Sequence, residues 1–100
     1  MKKSVMIVDE NSEILKRLKT MLEEENISVT TAKTNKEAID LLEKETSIDA
    51  ILLRTKMPDG RDVFVPFIRK DDKTLPMDME ISSNCDREEI ERFLSRLSSL

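Results

Sequence analysis

Two adjacent carboxylates, Asp9-Glu10, break off the apolar run Val5-Met6-Ile7-Val8. Adjacent carboxylates can hold a hard cation through oxygen, but two of them without a third anionic ligand make a weak site. A bound Mg²⁺ is therefore not expected, and Asp9 and Glu10 are the residues that would hold one. With no His in the chain, neither a Cys/His zinc site nor a His-dependent triad can be built. Cys85 is the single cysteine, which excludes an intramolecular disulfide and suits a reducing cytoplasm. A glycine-rich phosphate loop and a nucleophile elbow are both missing, so the chain is not expected to be an enzyme.

The elements that must position the acidic pair belong to one domain spanning 1–100, since 100 residues enclose one modest core and no second domain. Hydrophobic and charged residues each make up 38%, with one Gly and three Pro, which excludes collagenous and disordered compositions. The net charge of -4 comes from 21 acidic and 17 basic side chains mixed along the chain, without the basic patch that direct contact with nucleic acid requires. No apolar stretch is long enough for a signal peptide core or a membrane span. The cytoplasm is the expected location.

Residues 4–8 are continuously apolar and β-rich, as in a strand buried on both faces of a parallel sheet. Ile14, Leu15, Leu18, Met21 and Leu22 then recur at helical spacing, with Asn11 or Ser12 as N-cap and an end near Glu25. A β-branched segment over 27–32 reads as a strand near a sheet edge. Thr34 and Glu37 form a capping box opening a helix through Ala38, Ile39, Leu41 and Leu42. Ala50-Ile51-Leu52-Leu53 is a second central strand, followed by the turn Met57-Pro58-Asp59-Gly60. Val63, Phe64, Phe67 and Ile68 have helical spacing interrupted by Pro66, which predicts a short helix starting near Pro66. Residues 77–82 alternate strictly and predict an edge strand. Asp86 to Glu89 opens a last amphipathic helix through Ile90, Phe93, Leu94, Leu97 and Leu100.

Taken together, Val5-Met6-Ile7-Val8-Asp9-Glu10-Asn11, Ala50-Ile51-Leu52-Leu53 and Met57-Pro58-Asp59-Gly60, at these separations, resemble the receiver domain of two-component response regulators, over roughly residues 4–70 and again in the last helix. The resemblance implies an α/β, three-layer, open parallel sheet of flavodoxin-like type with helices on both faces. It also implies that the acidic pair, a phosphate-accepting Asp, a Met-Pro-type turn, a hydroxyl residue and a Lys gather at the carboxyl edge of the sheet. Asp9 and Glu10 fall on the acidic pair, but Arg54 follows Leu53 where the acceptor belongs, and a guanidinium has no nucleophilic oxygen. Ser82 or Ser83 is the candidate hydroxyl residue, and Asp62 replaces a second Gly of related turns. A counterpart of the family's lysine is not evident. Only a turn fits between Ile81 and Asp86, so one βα unit is expected to be missing at about 82–86, which leaves four strands.

The resemblance therefore implies a shortened pseudo-receiver, an interaction module independent of phosphorylation, docking on a kinase, a transcription factor or another receiver. Two alternatives stand beside it. One is a residual phosphoacceptor or Mg²⁺-binding regulator using Asp9, Glu10 or Asp59. The other is a homodimer paired through the last strand or final helix. For Arg54 itself, one reading has the guanidinium mimicking a cation on the acidic pair. The other has it pointing into water, where an ion pair contributes about 0 to 1 kcal/mol. Met77 and Met79 are expected to fill the core rather than to line a groove.

Overall fold

The computed structural model describes residues 2–99. Strand β1 (Ser4–Val8) leads through Asp9-Glu10 into helix α1 (Ser12–Glu24), then β2 (Ser28–Ala32), helix α2 (Asn35–Lys44) and β3 (Ala50–Lys56). The rest is β4 (Asp62–Lys70), β5 (Lys73–Pro76), β6 (Ile81–Ser82) and helix α3 (Arg87–Ser98). The sheet runs β2-β1-β3-β4-β5, with β6 also pairing β4. β2, β1 and β3 are mutually parallel, while β4 is antiparallel to β3, β5 and β6.

The two runs read as central strands, β1 and β3, do lie inside the sheet, and the β-branched β2 lies at its border. Their alternate side chains supply two cores. Val5, Ile7, Ala50 and Leu52 face α1 and α3, joined by Leu18, Phe64, Ile81, Ile90 and Phe93. Met6, Val8 and Ile51 face α2, with Ala38, Leu41 and Leu42. The result is the expected open, three-layer α/β sheet of flavodoxin-like receiver type. Each fully buried Leu, Ile or Phe stabilises it by about 1.5–3 kcal/mol.

Local signals position the helices. Asn11 Oδ1 accepts the N–H groups of Glu13 at 2.9 Å and Ile14 at 3.1 Å, capping α1. Thr34 Oγ1 accepts the Glu37 N–H at 3.1 Å, and the Glu37 carboxylate reaches back to the Lys33 N–H. Asp86 caps α3 through the Glu89 N–H at 3.0 Å, whereas the Glu89 carboxylate accepts from Ser82 N–H.

The second half departs from the sequence reading in two ways. The helix expected from Pro66 is instead the long strand β4, hairpinned to β3 through residues 57–61, with Met57 N–H donating to Arg61 O at 2.8 Å and Gly60 at φ 91° in the tight turn. The apolar spacing of Val63, Phe64, Phe67 and Ile68 suits either element, and Pro66 tips it toward strand. In a strand, a residue's N–H and C=O positions point to the same side, and Pro66 O accepts from Met77 N–H, away from β3. The ladder to β3 therefore loses no donor, and Pro66 lies where β4 passes from β5 to β6.

The strand count is the second correction: among the described residues the sheet has six strands rather than four. The segment 77–82 keeps the expected alternation, with Met77 and Met79 packed on the core, Ile81 buried and Asp78 and Glu80 exposed. Only Ile81–Ser82 is laddered, however, and the edge position is shared with Lys73–Pro76, which the sequence reading missed. The expected turn between Ile81 and Asp86 is present, and among the described residues no helix stands between α2 and α3.

Candidate functional site

At the carboxyl ends of the parallel strands, β1 delivers Asp9 and β3 delivers Arg54. The register Val8↔Leu53 places the following two residues side by side. Asp9 is anchored by its own N–H, which donates to Ala32 O at 3.0 Å, and it is only 4% exposed. Its Oδ1 accepts the Asn11 N–H at 3.1 Å and its Oδ2 accepts Arg54 Nη1 at 2.8 Å. Arg54 Nη2 lies 3.4 Å from Asp62 Oδ2, at the start of β4, and the guanidinium sits 5.8 Å from the ring centroid of Phe64, its cross-strand partner.

A nearly dry carboxylate without a partner costs several kcal/mol, so the cation beside Asp9 is part of what lets this residue be buried as an anion. A charge-assisted hydrogen bond of this kind contributes about 1.5–3 kcal/mol, toward the lower end here because a quarter of the Arg54 side chain meets solvent. Hydrogen bonding is complete around the pair: among the described residues no buried side-chain nitrogen or oxygen lacks a partner.

Glu10 does not join Asp9 on the guanidinium. It is exposed and lines the mouth of a polar cleft of about 650 Å³ above the strand ends, together with Asn11, Lys33, Thr34, Lys56 and Asp62. The residues present do not suit the divalent cation that a receiver would hold. One Asp9 oxygen already carries a backbone N–H and the other a guanidinium. Among the described residues, no three His, Cys, Asp or Glu side chains are grouped to hold a metal ion.

The other candidates lie elsewhere. Asp59 is in the hairpin loop, where the Arg61 N–H donates to Oδ1 at 3.0 Å and Arg61 Nε to Oδ2 at 2.7 Å. That backbone donor first, and the guanidinium second, hold its carboxyl below the usual carboxylate range. Both oxygens thus serve the turn formed by Met57, Pro58, Asp59 and Gly60, and Asp59 does not line the cleft. Ser82 is spent inside β6, its Oγ accepting the Asn84 N–H at 3.2 Å, and it faces a separate hollow with Arg61, Glu80 and Glu89. Ser83 follows in the turn, also outside the cleft. Cys85 is fully buried beside α3, where burial pushes its thiol up from the ordinary range, while its carbonyl accepts from Arg17.

Asp62 and Phe64 were legible in the sequence only as a turn residue and a core residue. Their contact with Arg54 needs the β3–β4 register, which sequence spacing cannot supply while residues 66–70 read as helix.

Parallel strands ordered β2-β1-β3, with helices on both faces and an acidic residue at the carboxyl end of the first strand, are features of a signalling receiver, whereas β4, β5 and β6 continue the sheet antiparallel. The family model for the response regulator receiver domain matches residues 5–95, and the chain belongs to that family. Among curated proteins and solved structures, none gave a significant match. Membership gives a response-regulator signalling role, which receiver domains exercise through protein partners such as kinases and effectors. No helix among the described residues is long and apolar enough to cross a membrane.

Proposed function

We propose that this chain is a pseudo-receiver, an interaction module in signalling or transcriptional regulation that works without phosphorylation. The observation that carries the reading is the Arg54 guanidinium on Asp9 at 2.8 Å, at the position after Leu53 where the family resemblance calls for an acceptor aspartate. Arg54 offers no oxygen to phosphorylate, and it supplies in permanent form the positive charge that a metal ion would bring. The acidic pair is then divided in its roles, with Asp9 held in one arrangement and Glu10 left in solvent.

Without a covalent trigger, such a domain signals by presence and by docking, in one conformational state. Its partner would be a kinase, a transcription factor or another receiver, in the cytoplasm, and no Mg²⁺ is required. The test is exposure of the intact chain to acetyl phosphate and Mg²⁺, followed by intact-mass measurement. No gain of a phosphoryl group is expected, and an acyl phosphate on the unmodified chain would defeat the proposal.

A further inference from the structure

We propose that the sheet face beside α2 is the pairing surface for a second copy of this chain, each copy laying its α2 across the β4–β5 wall of the other. This goes beyond the preceding reading and does not require it, since Asp9, Arg54 and Asp62 take no part.

The two faces of the sheet are covered unequally. α1 and α3 share one face, whereas α2 stands alone on the other, packed mainly on β1 and β2. Among the described residues, β4 and β5 therefore have no helix on the α2 side. Cross-strand partners share a face, so Leu53 with Val65, Phe67 with Pro76, and Arg69 with Thr74 point to that side. Leu53, Val65 and Phe67 are only half-buried there, while Leu52 and Phe64 on the opposite face are fully enclosed. Between this wall and α2 runs a groove of about 300 Å³ lined by Ala38, Ile39, Leu42, Leu53, Phe67 and Thr74, with Ile39 55% exposed. An apolar recess beside an exposed Ile costs free energy for as long as both face water.

Charge selects the occupant. Glu43 lies one helical turn beyond Ile39, exposed on the α2 wall, and Arg69 lies on the sheet wall, while Lys44 projects from the side of the helix away from the groove. Among the described residues neither Glu43 nor Arg69 makes an ion pair within 4 Å. As a crossover between parallel strands, α2 runs back against β1 and β3, so Glu43 is near the end where β3 begins. Arg69 stands at that same end, its N–H donating to Asp49 O just before β3. A two-fold axis along the groove sets the α2 wall of one copy over the sheet wall of the other and preserves this level. Each Ile39 then enters the recess beside Phe67 of the second copy, and each Glu43 meets its Arg69. One patch supplies both knob and hole, and both charges, as the pairing of identical surfaces requires.

Sedimentation equilibrium of the full chain from micromolar to millimolar concentration tests this, with ¹H–¹⁵N spectra recorded along the same series. A dimer of twice the 11.6 kDa chain mass is expected at the upper end, with concentration-dependent amide shifts at Ile39, Leu42, Phe67 and Arg69 and none on α3. I39D, at an exposed position, should weaken dimerisation more than about tenfold by carrying a charge into the recess. E43R and R69E should each weaken it about tenfold, and the charge swap E43R/R69E should recover most of that loss, which a merely structural defect would not. A monomer at every concentration overturns the proposal and leaves the groove to a different protein. A dimer whose shifts fall on α3 or β6, or one that tolerates I39D and both single reversals, also overturns it, because the copies then pair elsewhere. A charge swap that recovers nothing does the same. The spectra of the unaltered chain decide between these outcomes even where a variant fails to fold.

Discussion

Arg54 Nη1 lies 2.8 Å from Asp9 Oδ2 across two adjacent parallel strands, and the carboxylate it serves is almost completely enclosed. Each residue therefore explains the other: Asp9 is buried as an anion because a guanidinium stands beside it, and Arg54 is drawn over Phe64 because Asp9 and Asp62 hold its two terminal nitrogens.

Removing the cation alone should be worse than removing both charges. Arg54→Ala leaves a dry carboxylate with one backbone donor, and we expect a loss of about 1–3 kcal/mol in urea unfolding. Asp9→Asn combined with Arg54→Ala should recover part of that loss. If the double variant is as unstable as the two single losses added together, the residues are not coupled in the way the geometry requires.

Arg54→Asp replaces the guanidinium with a third carboxylate beside Asp9 and Asp62. Like charges at this distance should lower the melting temperature in the absence of metal, and millimolar Mg²⁺ should restore it, whereas the parent chain should be indifferent to Mg²⁺. Phosphoryl uptake from acetyl phosphate is expected only in the variant. An equal Mg²⁺ response in both proteins would show that Arg54 does not exclude the cation.

Phe64 is fully buried under the guanidinium and in the core that faces α1 and α3. Phe64→Ala should cost about 3–5 kcal/mol through the cavity it leaves. Phe64→Leu should cost much less in volume while still removing the ring face from Arg54. Thermal unfolding of the two variants separates packing from the cation–π contact, because a Leu variant matching the Ala variant would contradict the cavity account.

Asn11 serves two masters, its side chain capping α1 and its N–H holding Asp9. Asn11→Ala deletes only the cap and should cost about 1 kcal/mol in chemical denaturation, leaving the Asp9 contact intact. A cost near zero would mean that the cap does not stabilise the folded chain.

The Cys85 thiol is raised by burial, so it keeps its proton in the folded chain at pH values where the unfolded chain has lost it. Unfolded chains then bind fewer protons than folded ones. This contribution to stability is present below the unfolded thiol range and declines as pH climbs through it toward the folded value. Cys85→Ala should flatten that alkaline decline, and iodoacetamide should label native Cys85 far more slowly than the urea-unfolded thiol. Rapid native labelling would place the thiol in solvent.

The first fifty-odd residues could be read directly, because there each local signal has one structural meaning. Two continuous apolar runs, one set of helical spacings per helix, and the caps Asn11 and Thr34 fix β1, α1, β2, α2 and β3 in order, and they put Asp9 and Arg54 just past the apolar runs of β1 and β3. Beyond Gly60 the local signals are ambiguous. Val63 to Ile68 fits a helix or a strand equally well by spacing, and Pro66 is unfavourable in either until the side to which its missing donor points is known. That choice was made by pairing across the sheet, where β3 offered an unpaired edge and Met77 took the Pro66 carbonyl. The same non-local pairing brought Asp62 and Phe64 to Arg54 and left Asp59, Ser82 and Ser83 outside the cleft. Residue identity alone determined that the position after Leu53 carries a cation with no nucleophilic oxygen. What that cation touches depended on hydrogen-bond register between strands, which no stretch of sequence encodes by itself.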